Sequence, residues 1–336
     1  MAEQRKLWIK RVVNVGVPLL LVALVFYLGN QKGFTWQQYA QLVVDGVRGG
    51  AIYALIALGF VTVYNVTGII NFAQGAFVML GAMLAATVYE LPLPFGDGWR
   101  LVVAFVTAVL LTTLVGVLIE RLTIYPARHS TPLTLIIITV GVYIAIQGIA
   151  LLVWGTNALS FPAFTTLGTV DKTIRVGGVV LKAQSFWIWG TTAVILVLLA
   201  WFFDRTMLGK GLRACAINRQ AARLMGISTH RMSMLSFALA AALGAIGGIV
   251  LAPVTRPIYD MGLRLGLKGF VAAIMGGLVS SPAAVLGGLL LGVVENVAAG
   301  VTKSGIKDIF AFIILILILL FRPQGILSKA QETEKV

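Results

Sequence analysis

Two groups of residues in this 336-residue chain have types and spacings that could do chemistry. The first is Asn65, Thr67, Asn71 and Gln74, polar side chains gathered around Gly68 between two apolar runs. Polar side chains at membrane depth mark solute paths, and non-helical backbone is tolerated there where it lines a cavity or is buried in protein. A second account is equally open, a tight interfacial turn in which Asn65 and Asn71 cap helix ends. Thr139 and Gln147, two helical turns apart, and Glu295 with Asn296 near the end of their run are further candidates for the path. Their alternatives are interhelical hydrogen bonding for the first two and snorkelling to water for the others. Asp45 and Arg48 are spaced to pair across one helical turn.

The second group is a basic island, GKGLRACAINRQAARLMGISTHR, from Gly209 to Arg231. Ala214, Ile217, Ala221, Leu224 and Met225 recur in it at helical spacing as a narrow apolar stripe. Asn218 is a good N-cap for a short helix over Arg219–Met225, which Gly226 would end as its C′ residue, and Ser228 or Thr229 can cap the next helix. The pattern predicts a helix–break–helix with Arg213, Arg219 and Arg223 exposed. It could rest on anionic lipid headgroups or dock in a groove of another protein.

Other chemistries lack their residues. There is one cysteine, Cys215, and the histidines, His129 and His230, lie far apart, so no disulfide framework or local metal motif is expected. No catalytic set is evident, and no G-x₄-G-K-[ST] phosphate loop occurs.

The elements that must position these groups are membrane helices. The chain is 59% hydrophobic and 11% charged, where soluble domains carry about 25% charged residues. Apolar runs of helical rather than alternating character predict an all-α integral membrane protein of about ten spans. The second and third spans are placed at Tyr39–Tyr64 and Ile69–Tyr89. The eighth and tenth, Leu267–Val279 and Ile306–Phe321, are short and read as partial or tilted. Gly46/Gly50, Gly244/Gly248 and Gly288/Gly292 have the spacing of close helix contacts. Residues 1–38 read as a cytoplasmic N-terminus with an extra span, 39–327 as the transmembrane domain and 328–336 as a tail. The net charge of +14 is explained by basic loops and calls for no nucleic acid. It places the segment 204–231 and both termini in the cytoplasm and Gly155–Ser185 outside, with a small hairpin at Gly177-Gly178.

Gly211, Leu212, Arg213, Ala214, Asn218, Ala221, Ala222, Met225, Gly226 and Ile227 together resemble the coupling loop of bacterial ABC importer permeases of the branched-chain amino-acid family. Ala57–Ala85, Gly266–Asn296 and the closing LLFRPQGIL (Leu319–Leu327) resemble that family's other signatures, and INFAQG is nearer its LivH-type than its LivM-type subunit. Gln74 stands where many relatives carry histidine, and Arg219 where they often carry proline. The resemblance implies a type II importer fold in the bacterial inner membrane. It implies import of branched-chain amino acids or a related small polar solute such as another amino acid, urea or an amide. It also implies a LivM-like second permease, two ATPase subunits carrying ATP and magnesium, and an extracytoplasmic solute-binding protein, with no cofactor or metal on this chain. The competing class is a gradient-driven transporter or channel, for which only Asp45 and Glu295 offer intramembrane acids.

Overall fold

The computed structural model describes residues 26–92, 94, 96–165, 173–278, 280–302, 305, 307–321 and 325. Most of the first expected span, the tail and most of the closing motif lie outside the described residues. The helices are α1 (Trp36–Thr67), α2 (Gln74–Glu90), α3 (Asp97–Ile119), α4 (Pro132–Trp154), α5 (Ala183–Arg205), α6 (Met207–Ile217), α7 (Arg219–Leu224), α8 (Thr229–Thr255), α9 (Met261–Met275), α10 (Ser281–Val301) and α11 (Lys307–Phe321). Among the described residues, six helices are long and apolar enough to cross a membrane: α1, α3 with its extension to Ile124, α4, α5, α8 and α10. α2, α9 and α11 have 17, 15 and 15 residues, so the expected number of full spans is not reproduced.

α1 is the central post, buried without a break from Gly50 to Val63. It crosses α10 at the expected glycines: a Cβ on Gly50 would lie 2.7 Å from the Gly288 carbonyl, and one on Gly46 would lie 2.6 Å from the Val293 Cα. Backbones this close gain dispersion contacts that a lipid-exposed helix lacks. Gly248 packs equally tightly on Val78, which brings α8 against α2. α2 is thereby enclosed by α3, α8 and α9, and nearly all its residues from Gln74 to Ala86 are buried.

Two ends of this bundle differ. At one, strands β1 (Thr173–Val176) and β2 (Val179–Lys182) form the expected antiparallel hairpin. Its turn residues Gly177 and Gly178 have φ of 58° and 87°, the pair of positive values a type I′ turn requires. Gln41 near the start of α1 brackets Val180 with two hydrogen bonds. At the other end, Val66 in the last turn of α1 is buried against Leu212, Cys215, Ala222 and Met232. α1 therefore links the hairpin end directly to α6 and α7.

Candidate translocation and coupling site

The third span was expected to begin at Ile69, but the helix begins at Gln74. α1 ends on Gly68, whose φ of 72° lies in the left-handed region, and Ile69–Ala73 runs as irregular backbone. Side chains satisfy its amides. Thr67 Oγ1 accepts from Ile69 N at 3.2 Å, Thr139 Oγ1 from Phe72 N at 3.2 Å, and Asn71 Oδ1 from Ala73 N at 3.1 Å. A buried amide without such a partner is costly, which explains why Thr and Asn occur here.

The break brings Asn71, Gln74 and Thr139 into one fully buried cluster. Gln74 Nε2 donates to the Ala240 carbonyl of α8 at 3.0 Å and lies in a notch that Gly59 and Gly244 leave open. Among the described residues, Asn71 Nδ2 and Gln74 Oε1 have no hydrogen-bond partner although buried. Asn71 uses its oxygen on the Ala73 amide, just before α2, and is not the N-cap of that helix, which has no side-chain cap. Asn65 and Thr67 are half-buried in the last turn of α1. Gln147 is half-buried on α4 and makes no hydrogen bond with the cluster.

Below the break lies a cavity of about 530 Å³ lined by Thr67, Ile69, Glu120, Tyr125, Arg128, Arg219, Arg223 and His230, among others. Glu120 was not singled out from the sequence. It is fully buried, 3.5 Å from His230 Nδ1, in a stretch Glu120–Ile124 where α3 loosens to a π-helix. Its signal was an acid inside an apolar run, which is itself a functional hint. The expectation that Asp45 and Glu295 are the intramembrane acids is thus incomplete.

The basic segment forms as expected. Asn218 Oδ1 accepts from Gln220 N and Ala221 N, each at 3.0 Å. α7 ends at Leu224, one residue before the expected end, and Gly226 takes a φ of 82°. Gly226 N bonds to Arg223 O and Ile227 N to Ala222 O, which together make a Schellman ending. Ser228 caps α8. Gly211 sits against Met232, while Leu212 and Ala222 are buried and Ala214 and Ile227 half-buried. Arg213, 54% exposed, pairs with Asp204. Arg219 and Arg223 are exposed. Ala221 is exposed too, and Ile217, Leu224 and Met225 are 87%, 88% and 83% exposed. The stripe faces away from the chain's own core.

A family model described as the permease component of the branched-chain amino acid transport system matches residues 42–319. The chain belongs to this permease family. The relative BraD of Pseudomonas aeruginosa, a high-affinity branched-chain amino acid permease protein, is 36% identical over 89% of this chain and 98% of its own. LivH of Escherichia coli K12 is 34% identical over the same shares. The autoinducer 2 permease protein LsrC of Escherichia coli, 28% identical over 81% of this chain and 74% of its own, shows that related permeases serve a different solute. As a member of the family the chain is a multi-pass membrane permease component and not itself the catalytic subunit.

At the hairpin end a second cavity, of about 420 Å³, lies between α1, α8, α9, α10 and α11. Its wall carries Arg48, Arg256, Arg264, Lys268 and Lys307 against Asp45 and Asp308, beside Ile52, Leu251, Val254, Ile258, Met261 and Leu265. Arg48 and Asp45 pair at 3.1 Å, as their spacing predicts. Glu295 departs from expectation. It is 0% exposed and bonded to Lys268 rather than snorkelling to water. Asn296 instead accepts from Lys307. This end of the permease is rich in charge.

Proposed function

We propose that this chain is a transmembrane subunit of a binding-protein-dependent ABC importer with the type II fold, carrying branched-chain amino acids or a related small polar solute across the bacterial inner membrane. The single observation that carries the reading is the exposed stripe of Ile217, Leu224 and Met225 on a doubly capped helix pair. The opposite face of that pair is buried against Val66 and Met232. An apolar surface of this kind suits a protein groove, and the caps make it stiff enough to transmit force. Movement imposed on α6 and α7 would pass through Val66 to Gly68, and so to the break that holds Asn71 and Gln74.

In this reading the stripe docks on one of two ATPase subunits that bind ATP and magnesium. The stripe end and both termini are cytoplasmic, and the hairpin end receives solute from an extracytoplasmic binding protein. A second, LivM-like permease completes the membrane part. Asn71, Gln74 and Thr139 form the inner constriction, which opens by rigid-body repacking of α1 against α2 and α8.

The test is a pull-down of the tagged chain in mild detergent, followed by uptake in proteoliposomes. Recovery of two P-loop ATPases and a second permease, with ATP-dependent leucine uptake, is expected. Recovery of the chain alone, under conditions that preserve other such complexes, would reject the reading and favour gradient-driven transport.

A further inference from the structure

We propose that the cavity at the hairpin end is an acceptor site for a solute bearing a carboxylate and an aliphatic side chain, and that Arg256 binds the carboxylate. The proposal rests on the functional reading above and adds a recognition step inside the membrane subunit.

The charges around the cavity are unevenly committed. Lys268 is held by Glu295 and Asp308, Lys307 by Asn296 and Glu295, and Arg48 by Asp45. Arg256 and Arg264 are exposed residues of the cavity lining; Arg256 has no ion pair among the described residues, and Arg264 reaches Asp260 only at 3.8 Å. The cationic excess therefore falls on the two arginines that line the cavity from the end of α8 and the start of α9. A guanidinium presents paired N–H donors that match a carboxylate, so an unpaired one at a cavity wall selects that group.

The backbone holds this arginine in place at some cost. Arg256 has a φ of 55° and a ψ of 113°, a conformation that glycine adopts without strain and that other residues rarely adopt. It also precedes Pro257, which restricts it further. Strain kept in a side-chain-bearing residue points to a use for that side chain. Val254, Ile258 and Leu265 line the same cavity and offer an aliphatic seat beside the charge. Charged and branched apolar groups side by side in one cavity match an aliphatic amino acid, whereas a uniformly polar solute such as urea would leave the apolar groups unused.

The experiment uses the complete transporter in proteoliposomes with radiolabelled leucine and compares wild type, Arg256→Gly and Arg256→Lys. Glycine relieves the strained backbone while removing the guanidinium, so the variant should assemble at wild-type yield. Its uptake is expected to fall roughly tenfold or more, the effect of losing one charge-assisted contact, with partial recovery in Arg256→Lys. The affinity of the complex for its solute-binding protein should stay within about twofold of wild type. Undiminished uptake in Arg256→Gly would overturn the proposal. So would a loss of uptake matched by loss of binding-protein affinity, which would make Arg256 a docking residue. If wild type imports no branched-chain amino acid while its ATPases bind, the importer reading stands for another solute and the proposed site fails; if the chain is recovered alone, the functional reading itself fails.

Discussion

Lys268 Nζ lies 2.5 Å from Glu295 Oε1 and 2.6 Å from Asp308 Oδ1, so one cation on α9 ties together α10 and α11. Its face-on approach to Tyr53, 5.5 Å from the ring centroid, ties in α1 as well. Glu295 is completely buried, and a charge there depends on its partner. Lys268→Met should therefore destabilise the protein by at most about 3–5 kcal/mol, the cost of breaking a buried pair, because Lys307, 4.0 Å from the same oxygen, still faces Glu295. Lys268→Met combined with Glu295→Leu should recover most of that loss. Thermal unfolding in detergent reads both, and a single variant as stable as wild type would refute the account.

Gly59 and Gln74 make a second prediction. A Cβ on Gly59 would collide with the Gln74 carboxamide, which donates to Ala240 across the helix interface. Gly59→Ala should push the amide from that carbonyl and cost about 1–3 kcal/mol. Adding Gln74→Ala to Gly59→Ala should restore part of the stability, because the clash then disappears along with the orphaned amide. If the double variant is no better than the single one, the notch is not shaped around Gln74.

The exposed basic segment depends on Asn218, whose Oδ1 accepts two hydrogen bonds that cap α7. Asn218→Ala should loosen α7 by about 1 kcal/mol, whereas Asn218→Asp or Asn218→Ser should hold it. Co-purification of ATPase subunits should weaken in the alanine variant and persist in the other two. Equal recovery in all three would show that docking does not need a rigid α7.

Cys215 offers a probe of the same segment. Its thiol packs beneath α6 against Val66 and Leu212, and burial raises its pKa, partly offset by Arg219. A raised pKa leaves less thiolate at neutral pH, so a thiol-reactive maleimide should label the folded protein slowly and the unfolded protein fast. Labelling should accelerate as pH rises. Rapid reaction of the folded protein at pH 7 would mean that α6 does not lie on Val66.

Much of the basic segment was legible because its determinants are local. Asn218 as a cap, Gly226 as a left-handed terminator and Gly177-Gly178 as a hairpin turn act within a few residues, so spacing alone reveals them. The glycines at 46, 50, 288 and 292 were legible for a related reason, since a missing Cβ permits close approach whatever the partner. The start of α2 was not legible. Gly68 and the local side chains of Thr67 and Asn71 mark a break, but its length up to Gln74 also depends on Thr139, far away in sequence, which accepts the Phe72 amide.

By itself the sequence determined the class of the protein, its helical character, the capped segment and the family signatures, because hydrophobic burial and capping are written in residue type and short-range order. The tertiary structure alone decided which polar groups meet. Glu295 and Lys268, Glu120 and His230, and Gln74 and Ala240 are separated in sequence by whole helices. Their pairing follows from how α1, α2, α3, α8, α9 and α10 pack. The same packing leaves Arg256 without an ion pair among the described residues, because a charge finds its partner by proximity in space and not by position along the chain.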